Sequence, residues 1–420
     1  MRSRWIWAAL AVVAALACGK DKGAAQGPYA KDVAEAIPII ERGTGLKFKH
    51  PPVLETRTKA QVRQFLEERF RQELPDSEIQ GEQLLYRRLG LIPDTLDLRK
   101  FMLDLLTEQV AGFYDPKTKK LYVVEGAPPE QVNMIVTHEL VHALQDQYMN
   151  LDSVQDVKGA NDRSMAAQAV IEGQATLVPI QALLGPGAGM PAGWDRVREM
   201  IRENQTQMPV LASAPFVLQE TLIFPYLTGA EFMRRFEAER KGETPFGPNM
   251  PTSTEQVLHP DRYFAAHRDL PTRVDLPRPA AGSVLYADDL GEFETRLFLF
   301  QHLHDQPAAL RGAAGWDGDR YEVVRTPRGD GIAWLTVWDS PVDAAEFSSD
   351  VEQVMAKRFP SARATGAAGG KRWSVPGARV VTVWGGDVDG RAAVLYTDVP
   401  DGVEPNLLDV KKVRLDSLAR

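Results

Sequence analysis

Seven histidines occur in 420 residues, and two of them stand four apart with a glutamate beside the first, in Thr137-His138-Glu139-Leu140-Val141-His142. Residues four apart on a helix point the same way, so His138 and His142 can offer ring nitrogens to one cation. Zinc takes nitrogen and carboxylate ligands tetrahedrally at about 2.0–2.2 Å, a geometry that two helical imidazoles satisfy. Glu139 lies on the same side but displaced, where its carboxylate can reach a water on the metal without ligating the metal. A hydrolytic zinc centre needs three protein ligands and one open position, so a third ligand must come from elsewhere. His259, His267, His302 and His304 lie downstream, but none completes the longer H-E-x-x-H-x-x-G-x-x-H pattern, whose glycine and last histidine positions hold Gln145 and Tyr148. The better candidate is Glu172, a lone acid in the apolar run Val170-Ile171-Glu172-Gly173-Gln174-Ala175-Thr176. A buried carboxylate without a cation costs several kcal/mol, so a metal is the economical partner; a salt bridge to Arg163 or another basic residue is the competing account.

These residues need elements to carry them. Pro128-Pro129-Glu130 opens a helix that runs to about Tyr148 and contains His138, Glu139 and His142. Before it, Phe113-Tyr114 and Leu121-Tyr122-Val123-Val124 flank Asp115-Pro116-Lys117-Thr118-Lys119, which predicts a β-hairpin. That hairpin is where a zinc peptidase places its substrate-binding edge strand, and Tyr122 is expected on it. Helical patterns are expected over 31–74, 81–90, 95–110, 163–184 with a break at Pro179, 194–206 and 226–240. Gly/Pro-rich stretches at 185–193 and 241–251 read as surface loops, and the Pro-rich stretch at 271–283 as a boundary. Beyond it, strands are expected at 321–324, 332–337, 380–384 and 392–396, with helices at 341–358 and 405–418. Trp334 and Trp338 recur at even spacing, which suits a strand packed on a helix. His302 and His304 are two apart, on different faces, and read as surface residues. Gly315-Trp316-Asp317-Gly318-Asp319 misses the spacing of a calcium loop and reads as a turn into a strand.

The composition is that of a soluble globular chain, 44% hydrophobic and 25% charged, with a net charge of −8. It carries no basic tract, so nucleic acid is not an expected partner. The one cysteine excludes an internal disulfide framework. Arg2 and Arg4 precede an apolar run from Trp5 to Ala17, which reads as a secretory signal over 1–17. Ala15-Leu16-Ala17-Cys18 resembles a bacterial lipobox, with Cys18 lipidated and residues 18–30 a tether. The implied location is extracytoplasmic, lipid-anchored to a bacterial membrane, with a plain secreted protein as the alternative.

Thr137 to His142 with a later Glu172-Gly173 resembles the gluzincin clan of zinc metallopeptidases, to which thermolysin belongs. Together with Ala111-Gly112-Phe113-Tyr114-Asp115-Pro116 and Ser253-Thr254-Glu255-Gln256-Val257-Leu258-His259-Pro260, it is similar to a group of largely uncharacterised, secreted or lipid-anchored bacterial predicted metallopeptidases. The resemblance and the element pattern together give an α+β chain: a mostly helical, zincin-like catalytic domain with a small β-sheet over 31–280, then, from its strands and helices, an α+β C-terminal domain over 281–420. The resemblance implies zinc on His138, His142 and Glu172, and hydrolysis of a peptide or protein substrate with Glu139 as general base. Tyr226 and His259 are the candidate donors to the oxyanion. The thermolysin-like aspartate that orients a ligand histidine is replaced by Thr176, which leaves Asp146 and Asp162 as candidates for that task. Two alternatives stay open: a non-catalytic binding lipoprotein on the same scaffold, and a zinc hydrolase of a non-peptide, cell-wall amide.

Overall fold

The computed structural model describes residues 29–127, 129–154, 159–185, 208–367, 369–403 and 407–417. The signal segment, Cys18, most of the 185–193 loop and the helix expected at 194–206 lie outside them. The chain is α+β, as expected. No helix among the described residues is long and apolar enough to cross a membrane.

The first part of the chain wraps helices around a small sheet of β1 (Val53–Arg57), β2 (Gly112–Asp115) and β3 (Lys120–Val124), in the order β1-β3-β2. β2 and β3 form the expected hairpin, and β1 pairs parallel to β3. Alternation along the strands splits two cores. Tyr114, Leu121 and Val123 pack with Val33 and Ile40 of α1 (Ala30–Thr44), with Val136 and Leu140 of α5 (Pro129–Asp146), and with Ile171. Phe113, Tyr122 and Val124 face the other way, toward Val62 and Leu66 of α2 (Lys59–Glu73) and, past α3 (Asp76–Leu89), Leu105 of α4 (Leu98–Gln109). The helical pattern expected over 31–74 is therefore broken in the middle. Gly45 ends α1 at φ 72°, Pro51-Pro52 cannot continue a helix, and a Thr58–Gln61 capping box restarts it as α2. Tyr122 lies on the central strand, so the edge next to α5 is β2, which corrects the expected placement.

After a short α6 (Leu151–Val154) comes α7 (Asn161–Leu184), which runs through Pro179 without the expected break. Buried on nearly every side, α7 is kept helical by packing where its own ladder loses a bond. After α8 (Pro209–Ser213), α9 (Phe216–Glu239) begins ten residues before the expected 226 and contains Pro225. α7 and α9 cross at two glycines: a Cβ on Gly173 would lie 2.2 Å from the carbonyl carbon of Gly229, and one on Gly229 would lie 2.0 Å from the Ala169 carbonyl oxygen. The two backbones touch at this crossing.

Two short helices, α10 (Thr254–Leu258) and α11 (Pro260–Phe264), and the strand β4 (Thr272–Asp275) lead to a seven-stranded antiparallel sheet. Its order is β5-β6-β7-β11-β10-β9-β8, built from β5 (Ser283–Asp288), β6 (Trp316–Thr326), β7 (Gly329–Trp338), β8 (Ala364–Ala367), β9 (Gly370–Val375), β10 (Arg379–Val388) and β11 (Arg391–Pro400). α12 (Gly291–Leu303), α13 (Gln306–Ala313) and α14 (Pro341–Arg358) cover one face, where Trp334 stacks edge-on with Phe298 and Trp338 lies against Phe347, as expected of core tryptophans. The opposite face buries Leu335, Val337 and Val399 under Val403, Leu407 and Val413. The helix expected at 405–418 is not formed by its described residues: Arg414–Ser417 is a strand, β12, antiparallel to β4. Pairing with β4 satisfies that backbone while Val413 stays on the sheet.

Three helix starts meet between these parts. Asp288 and Asp289 accept the Asn161 and Asp162 N–H groups at the start of α7, at 2.9 and 2.7 Å. Asp319 accepts the Leu290 and Gly291 N–H groups at the start of α12, both at 2.9 Å, and the indole N–H groups of Trp316 and Trp334. Asp162 in turn accepts the Thr254 N–H that opens α10, at 2.9 Å. Helix N-termini carry partial positive charge, which supplies these carboxylates with compensation that no Lys or Arg among the described residues provides.

Candidate metal centre

α5 and α7 pack side by side, and α9 crosses α7, so three helices bring His138, His142, Glu172 and Tyr226 together. The Glu172 Oε2 lies 3.1 Å from His138 Nε2 and 3.4 Å from His142 Nε2, and the two Nε2 atoms are 3.1 Å apart. A tetrahedral zinc at about 2.0–2.2 Å from its ligands sets them about 3.3–3.6 Å from one another, so this triangle fits the ion's coordination. Two imidazole nitrogens this close repel unless a proton or cation lies between them. Glu172 has no Arg163 bridge; its partners are His138, His142 and the hydroxyl of Tyr226. All of these side chains are buried, Glu172 to 5% exposure. Burial alone would raise the Glu172 carboxyl, but His142 and His138 outweigh it and hold it at about 2. The same contacts raise His142 against the opposite pull of burial.

Glu139 is set between the helix and the edge strand. Bonds from Val124 N–H to Ala111 and from Lys119 N–H to Asp115 turn the odd-numbered positions of β2 toward β3, so Gly112 and Tyr114 direct their N–H and C=O groups outward. The Glu139 carboxylate accepts the Tyr114 N–H. Its Oε2 has no hydrogen-bond partner among the described residues, although the residue is 1% exposed. Burial is the main reason its carboxyl is raised, with the Glu172 charge adding to it and the two histidines opposing. A raised, buried carboxyl with one free oxygen beside a ligand triangle is the arrangement a general base requires.

Tyr226 joins this group: its ring stacks on His138 at 5.9 Å between centroids. Burial, then the Glu172 and Glu139 charges, push its hydroxyl well above the ordinary phenol range. His259 is engaged elsewhere, with Nε2 2.9 Å from Glu292 Oε1 and 3.5 Å from an Arg296 nitrogen. Asp146 and Asp162 do not orient a ligand histidine. Asp146 accepts the Tyr114 hydroxyl and the Lys119 ammonium, and Asp162 is spent on Thr254. His302, expected at the surface, is half-buried with Nε2 2.8 Å from the Leu89 carbonyl, and burial lowers it to about 4.

The group that orients His142 is one the spacing argument passed over. Gln145 Oε1 lies 2.9 Å from His142 Nδ1, and Gln145 Nε2 donates to the Ile171 carbonyl and to Gln174 Oε1, each at 3.0 Å. Its signal was present: a glutamine three residues after the second histidine shares that histidine's helix face.

A second convergence of acids, Glu255, Asp269 and Asp339, also brings carboxylate oxygens within 4.8 Å of one another. Here Arg262 Nη1 donates to all three, at 2.8, 2.7 and 2.7 Å. That cluster holds its cation already.

Residues 283–400 match a family described as a domain of unknown function (DUF8575). The matched stretch runs from β5 to β11 and contains none of His138, Glu139, His142, Glu172, Tyr226 and His259. No curated protein and no solved structure matches the chain.

Proposed function

We propose that the protein is a zinc-dependent peptidase, and that residues 31–280 and 281–420 are its catalytic and C-terminal domains. The observation that carries the reading is the buried triangle of His138 Nε2, His142 Nε2 and Glu172 Oε2, with Glu139 Oε2, which has no hydrogen-bond partner among the described residues, beside it. Zinc, held by those three side chains, supplies Lewis acidity to the scissile carbonyl and to the attacking water. Glu139 takes the proton of that water on Oε2 and hands it to the leaving amine, while the Tyr114 N–H keeps the carboxylate aimed. Tyr226 braces Glu172 through its hydroxyl and His138 through its ring. To donate to the oxyanion, that hydroxyl has to leave Glu172. His259, held by Glu292 and Arg296, has no part in this proposal. With Cys18 lipidated, the enzyme works outside the cytoplasm on peptides or proteins.

The test is hydrolysis of a mixed peptide library by the zinc-loaded protein, with Glu139→Gln alongside. Expected is cleavage by the parent and a loss of about 10²–10⁴-fold in the variant, with zinc content equal in both. Cleavage that survives Glu139→Gln refutes the mechanism. Zinc in both proteins with no peptide cleaved by either turns the reading toward a different amide or a binding scaffold.

A further inference from the structure

We propose that Gln145 is the positioning residue of the metal centre: its side-chain amide fixes the His142 tautomer that leaves Nε2 free to ligate, and ties that histidine to the helix segment carrying Glu172. The inference rests on the zinc reading above. A backbone carbonyl can only accept, so the 3.0 Å contact to the Ile171 oxygen identifies the Gln145 atom there as the nitrogen. The second amide hydrogen goes to Gln174 Oε1. Gln145 Oε1 is therefore the atom 2.9 Å from His142 Nδ1, and since it can only accept, Nδ1 carries the hydrogen. A neutral imidazole protonated at Nδ1 has its lone pair on Nε2, the atom that faces Glu172 and His138.

The amide spends three bonds inside a site where it is 1% exposed. Two of the three cross from α5 to α7, at Ile171 and Gln174, the residues flanking Glu172-Gly173. One side chain thus sets the lone pair of one ligand and the lateral position of another. A carboxylate at this place would face the Ile171 oxygen with negative charge. An amide accepts on one side and donates on the other, and adds no charge to the centre.

The test compares the full-length parent with Gln145→Met, which keeps the shape and removes the amide, and Gln145→Glu, which keeps the acceptor and removes the donor. Zinc affinity is measured by competition with a chelator, and the His142 tautomer by ¹⁵N chemical shifts in metal-free, ¹⁵N-histidine-labelled protein at a pH high enough to leave the imidazole neutral. Expected in the parent is protonated Nδ1 and bare Nε2. Gln145→Met should mix the tautomers and weaken zinc about 10–100-fold, the usual cost of losing a group that orients a ligand. Gln145→Glu should keep the tautomer and bind zinc between the two. An unchanged tautomer with zinc affinity within about twofold of the parent in Gln145→Met overturns the inference, and so does a lost tautomer in Gln145→Glu, which alone decides the matter if Gln145→Met does not fold. A parent with the Nδ1–H tautomer that takes up no zinc overturns the peptidase reading instead, and leaves the role of the amide standing.

Discussion

Among the described residues, ligand-type side chains converge at two places, and the two differ in what balances their charge. At Glu255, Asp269 and Asp339 the chain provides Arg262, one nitrogen of which reaches all three carboxylates. At His138, His142 and Glu172 no Lys or Arg among the described residues pairs with Glu172 or Glu139. Acidic residues close enough to hold a metal are common, and the Arg262 cluster is an ordinary solution to burying them. What sets the histidine cluster apart is that its buried acids have only histidines, and no Lys or Arg among the described residues, to balance them. The lesson is to look for the cation before counting the ligands.

The sharpest way to break this contrast is at the helix crossing, where the backbone beside Glu172 touches that of α9. Gly173→Ala forces a methyl to 2.2 Å from the Gly229 carbonyl carbon. It should cost about 3 kcal/mol in urea unfolding and weaken zinc as Glu172 moves off the triangle. Normal stability with normal zinc uptake would mean that the crossing does not set the ligand geometry. Zinc at about 100 times its dissociation constant should stabilise the parent by about 2.7 kcal/mol, and a chelator should reverse that. Glu172→Gln should lose most of this response. An equal loss on disrupting the Arg262 cluster would erase the distinction between the two places.

Arg262→Met removes the cation from three acids. These groups are about a third exposed, apart from Glu255, so the cost is about 2 kcal/mol, below that of breaking a fully buried pair. Millimolar calcium should return part of that stability to the variant and none to the parent, since only the variant then lacks a cation. A separate effect is on pH dependence, where the clusters should have opposite signs in chelated protein. Glu172 sits at about 2 against 4.5, so its contribution is present above pH 4.5 and lost as pH falls toward 2. Burial, with Glu292, Asp269 and Asp339 nearby, pushes Glu255 up to about 10 despite Arg262. Its contribution is present below 4.5 and lost as pH rises through about 10. Glu255→Gln should flatten the alkaline decline and Glu172→Gln the acid one, as read from urea midpoints across pH. An identical pH profile in the parent and both variants would refute the assignment.

The parts of the fold and site that were legible are those whose signal is local. His138, Glu139 and His142 share one helix, the β2–β3 hairpin closes over four residues, and Glu172 stands out as an acid in an apolar run. β1 was not legible, because a parallel strand pairing across more than sixty residues leaves no periodic mark of its own. Pro179 and Pro225 lie inside helices because neighbouring helices hold α7 and α9 on either side of the lost bond, which propensity cannot foresee. Gln145 was in plain view but unreadable. Its role depends on the Ile171 carbonyl, a backbone atom of another helix. Arg262 was hidden for the same reason, since Asp339 reaches it from seventy-seven residues away.

The clamp on the start of α7 bears on the order in which the molecule forms. Asn161 and Asp162 are bonded to residues 127 positions later in the chain, and Asn161 also to Glu294, 133 positions later. Contacts that distant close slowly, whereas α5 and α7 can form from local bonds alone. A growing chain carries both histidines and Glu172 long before Asp288 and Asp289 arrive. Full metal affinity should therefore return with the slowest phase of refolding, after the helices have gained their circular dichroism.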